Sequence, residues 1–295
     1  MGWTRFRRRW STTPTATPIR PTSTTRPTPR RRVFNLHTKP LRHPQRFFCT
    51  HCRYPSRLPC PPMARYATTD LHGCLQSFRH LVENVLRLRP RDELYLLGDY
   101  VNKGPDSRGL LDYLMQLPQR GYQVQCLRGN HDQELFDAAQ GRAHLAWSSQ
   151  ADRAMTLQIF GVQSVTDIPA LYLQWLDALP YQLDIPGFTL VHAGYNFRLP
   201  PEQMRADWHT MLNIKQFTFD ASRMQGRRLL HGHVPTPTAE VLQQVKKHAG
   251  AIGLDTGCVY RLNPELSHLA VLELDSFSLT LQPNIEPPYH IAHRQ

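Results

Sequence analysis

No aspartate or glutamate occurs in the first 62 residues of this 295-residue chain, although that stretch holds 14 of its 35 lysines and arginines and 11 of its 25 prolines. Such a segment cannot bury enough apolar surface to offset its ordering entropy, so residues 1–62 are expected to form a disordered basic tail. The formal charge of +12 belongs to that tail: the remaining residues carry 21 basic and 23 acidic side chains, a net of −2. Basicity therefore does not make the body a nucleic-acid binder. Arg7-Arg8-Arg9 and Arg30-Arg31-Arg32 could attract phosphate backbones non-specifically, so nucleic acid is expected as a partner only through the tail, if at all.

Long apolar runs are missing too. None approaches the ~18 residues that a membrane-spanning helix needs, so no membrane partner is expected. Residues 1–32 are rich in Arg, Ser and Thr, the composition of a mitochondrial transit segment, and lack the apolar centre of a secretory signal. A competing reading is an over-extended frame whose body starts at Met63. If the tail is not a leader, the expected location is the cytoplasm. The six cysteines show no disulfide framework, which suits a reducing compartment. Cys49, Cys52 and Cys60 could be a fragment of a zinc site, but no second paired ligand set follows.

What the body does have is alternation. Residues 65–69 read as a buried strand ending at Asp70. Leu75, Phe78, Leu81, Val82, Val85 and Leu86 recur at helical spacing. Residues 94–97 form a short apolar strand before Asp99, Ser107 to Leu117 a helix ending at Pro118, and 123–127 a third strand before Asn130. This is the pattern of βαβ units and a largely parallel sheet, with loops at the carboxyl ends of strands. Residues 132–180 read as helical. Strands return at 188–191, 228–230 and 251–254, and residues 269–274 with 279–282 read as a terminal hairpin.

On those loops stand short polar motifs in a fixed order: Asp70-Leu71-His72-Gly73, Gly98-Asp99-Tyr100-Val101-Asn102-Lys103-Gly104, Gly129-Asn130-His131-Asp132, Val191-His192-Ala193-Gly194 and Gly232-His233-Val234-Pro235. They offer carboxylate, amide oxygen and imidazole donors. Any one of these residues alone is better explained as a cap or a satisfied core group; the ordered set points to metal. It resembles the calcineurin-like metallophosphoesterase superfamily, in particular its serine/threonine phosphoprotein phosphatase branch and the related bacterial symmetrical diadenosine-tetraphosphatases, from about Tyr66 to about Leu274. The resemblance implies an α/β fold of two packed mixed sheets flanked by helices, spanning residues 63–295.

The resemblance also implies roles. Asp70 and His72 would ligate one divalent ion, Asn130, His192 and His233 the other, with Asp99 bridging the pair. Two such ions generate a hydroxide at neutral pH for attack on phosphorus. Mn²⁺ is expected, with Fe or Zn as alternatives, because the donor set does not choose among them. His131 would protonate the departing oxygen. Its orienting partner in the related phosphatases is an Asp; here that position is Asn102, which cannot stabilise an imidazolium electrostatically. Lys103, Arg128 and Lys215 would contact the phosphate. At two of these places, 103 and 215, lysine replaces the arginine of related sequences, a point charge in place of a two-pronged clamp.

Several neighbours read as structural: His231 as strand end or support, Asp106 with Ser107 as a helix cap, Tyr100 and Tyr195 as packing, Cys74 and Cys258 as unreactive. Asp255 reads equally as a turn cap or a residue near the site, and Asp132 as an unpromising substitute partner for His131. The first expectation for substrate is a phosphoserine or phosphothreonine protein or a small phosphate ester. The runner-up is symmetrical cleavage of dinucleoside tetraphosphates. A non-enzymatic rival is a metal-free scaffold tethered by the basic tail.

Overall fold

The computed structural model describes residues 62–142 and 149–289. The expectations for the tail, including Cys49, Cys52 and Cys60, lie outside the described residues. β1 (Arg65–Thr68) leads to α1 (Leu75–His80), which continues as five π-helical residues, Leu81–Val85. β2 (Glu93–Leu96), α2 (Ser107–Gln119), β3 (Gln123–Cys126) and α3 (Asn130–Ala139) follow. The expected helical stretch holds α3, α4 (Gln150–Phe160) and α5 (Ala170–Asp177). Then come β4 (Gln182–Ile185), β5 (Phe188–Val191), α6 (Pro201–Ala206), α7 (Trp208–Asn213), β6 (Arg228–His231), α8 (Thr238–Lys246), β7 (Ala251–Gly253), β8 (His268–Glu273) and β9 (Ser278–Pro283).

Two mixed sheets result, β3-β2-β1-β8-β9 and β4-β5-β6-β7. β1, β2 and β3 are mutually parallel, as are β5, β6 and β7; β4, β8 and β9 pair antiparallel. The two-residue period of a strand explains how one sheet serves two cores. In and just after β2, Leu94 and Leu96 pack with α1 and α2, whereas Tyr95 and Leu97 face the second sheet, joining Phe188, Leu190, Leu230 and Ile252. β5 does the converse: Val191 turns away to Met204, Met211 and Leu229. α2 buries Leu110, Leu111, Leu114 and Leu117, each contributing about 1.5–3 kcal/mol by burial.

Two boundaries differ from the periodicity. The first helix does not stay α-helical to Leu86; the chain widens to π geometry, with the Leu86 N–H bonded to the Leu81 carbonyl five residues back. α2 passes Pro118 by one residue, because a proline in the last turn blocks only a local bond; Gly121, at φ 87°, follows the end. Six parallel strands thus end on one functional rim, carrying Asp70, Asp99, Asn130, His192, His233 and Asp255 on the loops that leave them.

Candidate metal centre

The loops that carry the ligands are held in backbone conformations that L-residues seldom adopt. Asp70 (φ 52°), His72 (41°), Asp99 (58°), Asn102 (67°), Lys103 (65°) and His233 (73°) are all left-handed. Such strain persists only where surroundings over-determine it, and it clusters at functional sites. Here the surroundings are backbone bonds between the motifs: the N–H groups of Asp70, His72 and Gly73 donate to the carbonyls of Gly98, Asp99 and Tyr100. Asp132 adds three more. Its carboxylate accepts from the N–H groups of Gly129 (2.9 Å), Asp99 (2.9 Å) and Tyr100 (3.0 Å), tying the third motif to the second. It therefore serves the loops and not the His131 imidazole. Two glycines are required by contact. A Cβ at Gly129 would lie 2.2 Å from the Asp99 carboxylate, and one at Gly232 would lie 2.1 Å from Asp70 Oδ2.

The six expected ligands converge. His72 Nε2 stands 3.4 Å from Asp99 Oδ2 and 4.0 Å from Asp70 Oδ1, while His192 Nε2 is 3.5 Å from Asp99 Oδ1. Asn130 Oδ1 is 3.0 Å from both His192 Nε2 and His233 Nδ1. Ligand atoms of His72, Asp99 and His131 lie within 4.8 Å of one another, as do those of Asp99, His192 and His233. Asp99 belongs to both groups, the placement a bridging carboxylate requires.

The donor set fits a pair of divalent cations. His72 Nδ1 donates to the Val101 carbonyl (3.0 Å) and His192 Nδ1 to the Leu97 carbonyl (2.9 Å). Both rings therefore turn an Nε2 lone pair toward Asp99, the backing typical of ligating histidines. Asp70 Oδ2 accepts from the Thr69 hydroxyl and the His233 N–H, but its buried Oδ1 has no hydrogen-bond partner. Buried orphan acceptors are rare and call for a charge nearby. The electrostatics agree. Burial and the charges of Asp70 and Asp132 push the Asp99 carboxyl well above the usual range. Burial and Asp70 do the same to Asp255. Burial, with Lys103 beside it, drives His72 well below the usual imidazole range; burial with His192 lowers His233 to about 3. Crowded acids and neutral imidazoles are what a cation relieves.

The remaining site residues divide. Lys103 Nζ sits 2.9 Å from His72 Nε2, inside the cluster. Lys215 is exposed, and its charge reaches His233. Arg128 is buried, and its guanidinium is bonded to Gln133 (2.7 Å), the Tyr181 hydroxyl (3.2 Å) and Asp177; only Nε lacks a partner. It pins α3 to the end of α5 and to Tyr181. His131 packs edge-on against His72, ring centroids 5.0 Å apart. Asn102 donates from Nδ2 to His131 Nδ1 (3.2 Å), and its Oδ1 accepts from the Thr156 hydroxyl (2.8 Å).

Asp106 caps α2 by accepting from the Gly109 N–H, whereas the Ser107 hydroxyl accepts from the Asn102 N–H. Tyr100 and Tyr195 are fully buried, bonded to Leu127 and Gln182 respectively. Asp255 is both things at once, a turn cap on Gly257 (2.8 Å) and a neighbour of Asp70. Cys74 and Cys258 are buried, and burial raises the Cys258 thiol. Sequence reasoning missed Thr156, which no motif flags, and the tethering by Asp132, which its place three residues after Gly129 at a helix start could have signalled.

Known proteins line up with this geometry. The chain is 37% identical over 135 residues to a symmetrical bis(5'-nucleosyl)-tetraphosphatase of Nitrosospira multiformis, covering 45% of this chain and 44% of that one. It is 30% identical over 188 residues to the Chromobacterium violaceum protein of the same name, covering 63% and 61%. The matched stretch thus spans about half the length of these relatives. A serine/threonine protein phosphatase of Saccharomyces cerevisiae superposes with a TM-score of 0.53 over 77% of this chain and 82% of that one; at 12% identity this shows the fold alone. Among the described residues no helix is long and apolar enough to cross a membrane. Residues 63–275 match the family described as calcineurin-like phosphoesterase, and this chain belongs to that family of phosphoric ester hydrolases.

Proposed function

We propose that this chain hydrolyses the central phosphoanhydride of dinucleoside tetraphosphates, giving two nucleoside diphosphates. From sequence, a phosphoprotein ranked first and the dinucleotide second; the order is now reversed. One observation carries the reversal. The place beside His131 Nδ1 that an Asp holds in the related phosphatases is held here by the Asn102 amide, at 3.2 Å. An amide at that place cannot stabilise an imidazolium electrostatically as a carboxylate would. A serine or threonine alkoxide needs strong proton help to leave, and a nucleoside diphosphate leaving through a phosphate oxygen needs little. The names of the relatives support the same substrate class.

Asp70, His72, Asp99, Asn130, His192 and His233 would hold two divalent cations, proposed to be Mn²⁺. When bound, these supply Lewis acidity and a water acidified enough to attack at neutral pH. The chain's own residues do the rest. Lys103, inside the cluster, and Lys215, whose charge reaches His233, would neutralise and orient the bridging phosphates. Because Nδ1 accepts from Asn102, the ring proton of neutral His131 sits on Nε2, the atom that would donate to the departing phosphate oxygen. Arg128 holds the wall formed by α3 and the end of α5 and leaves phosphate contact to the lysines. Water adds across the central P–O–P linkage; one phosphorus gains the new oxygen and the other keeps the bridging one.

The test is a comparison of kcat/KM for diadenosine tetraphosphate and for phosphoserine and phosphothreonine peptides, with Mn²⁺ present. The dinucleotide is expected to be preferred at least a hundredfold. Equal or better turnover of a phosphopeptide would overturn the assignment.

A further inference from the structure

A cavity of about 760 Å³ opens between the 195–198 segment, just after the His192 loop, and the 214–220 segment, just after α7. Its volume lies within the range of small-molecule sites, about 300–1,000 Å³. It shares a wall with the metal centre. The Cβ position of Gly194, two residues after His192, lies 2.4 Å from the Phe217 ring and 3.1 Å from Ile214. Phe217 in turn packs against His231, ring centroids 5.2 Å apart, two residues before His233. The inner surface is aromatic: Phe197 and Phe217 meet at 5.7 Å with their planes tilted by 38°.

The rim is polar and cationic. Arg198 and Gln216 are exposed, and neither side chain makes a hydrogen bond or ion pair within the described residues. Asn196 spends its Oδ1 on the Arg198 N–H and keeps its amide nitrogen available. Asp220, the acid on the rim, is already bonded to Ser222 and Arg223. Lys215 lies between Ile214 and Gln216 of the lining and exerts its charge on His233, so cationic groups run from the cavity toward the cluster.

We propose that this cavity binds the base and ribose of a nucleoside phosphate, with the base stacked on Phe217 and the phosphates passing Arg198 and Lys215 to the metal centre. The inference rests on the dinucleotide reading and adds to it the place where one nucleoside docks. An aromatic face, free amide groups and unpaired cations beside a phosphate-cleaving centre match a ligand that is flat and apolar at one end and anionic at the other. Base–aromatic stacking and the amide contacts to the ribose together should add at least about tenfold to affinity.

The experiment is calorimetric titration of the full chain loaded with Mn²⁺, using ADP and, separately, inorganic pyrophosphate. ADP is expected to bind at least tenfold more tightly, and Phe217→Ala is expected to cut that advantage below threefold. A second measurement needs no variant: 8-azido-ADP, photolysed on the wild-type chain and mapped by peptide mass, should label residues 194–220. Equal affinity of wild type for ADP and pyrophosphate, an undiminished advantage in a folded Phe217→Ala protein, or labelling confined to other segments would overturn the proposal. Failure of the two readings is distinguishable. An ADP advantage without dinucleotide turnover sinks the proposed reaction and keeps the cavity; turnover without the advantage sinks the cavity alone.

Discussion

Asn102 presents its amide nitrogen, not its oxygen, to His131, 3.2 Å from Nδ1. From behind, the Thr156 hydroxyl donates to the amide oxygen at 2.8 Å. Asn102 is fully buried, so water does not compete for either end. The chain thus carries a two-step relay, Thr156 to Asn102 to His131, that fixes the imidazole tautomer without charging it.

Asn102→Asp would put a carboxylate against Nδ1 and stabilise an imidazolium through a charge-assisted bond. Substrates with poor leaving groups should gain most. The expected result is a rise of about tenfold in the ratio of alkyl-phosphate to dinucleotide turnover. Steady-state kinetics on both substrate types, with metal content checked in parallel, measures it.

Thr156→Val removes the hydroxyl and leaves the Asn102 oxygen buried without a donor, at a cost of about 1–3 kcal/mol. Thermal unfolding should shift down accordingly. Freed from its anchor, the amide can rotate, so kcat should fall while the metal stoichiometry holds. A variant with unchanged kcat would remove Thr156 from the account.

Gly232→Ala places a methyl group where Asp70 Oδ2 now lies, 2.1 Å from the new Cβ, and 2.4 Å from Thr69 Oγ1. The carboxylate must shift. Equilibrium binding should show Mn²⁺ affinity lowered by about 10–100-fold, the usual result of disturbing the support of a ligand, although residue 232 touches no cation itself.

The pH dependence has a definite sign. Burial, Asp70 and Asp132 raise the Asp99 carboxyl in the metal-free chain, so a proton there competes with the cation up to a higher pH than for an ordinary carboxylate. Mn²⁺ affinity should therefore rise with pH, and binding should release protons, visible as a buffer-dependent heat in calorimetry. His233 makes stability rise with pH as well. Its folded value of about 3 lies below the unfolded one of about 6.5. The folded imidazole stays neutral down to about pH 3 while the unfolded one protonates below ~6.5, so stability is lost as pH falls from ~6.5 toward 3.

The convergence of the six expected ligand residues was legible in sequence because they stand in motifs that follow short apolar strands. Asp70, His72, Asp99, Asn130, His192 and His233 converge as the motif order implied. The sheets were legible from short unbroken apolar runs such as Leu94 to Leu97, whose residues are all buried because the sheet has a core on each face. What was hidden depends on distant contacts. β4 alternates polar and apolar residues, Gln182-Leu183-Asp184-Ile185, but over four positions only, and antiparallel pairing with β5 fixes it. α8 was passed over because its apolar face is only Val241 and Val245, which pack under the second sheet. Thr156 lies 54 residues from Asn102, and no local pattern joins them. Arg128 stands where a phosphate clamp was expected, yet its guanidinium faces Asp177, Gln133 and Tyr181, partners that sequence spacing does not reveal.

The most direct test of the shared-carboxylate centre is Mn²⁺ stoichiometry combined with electron paramagnetic resonance on wild type and Asp99→Asn. Wild type should bind two ions per chain with a spin-coupled spectrum, and Asp99→Asn should lose the coupling, at least one ion and nearly all hydrolysis. Two uncoupled ions in wild type, or a coupled pair that survives Asp99→Asn, would contradict the account.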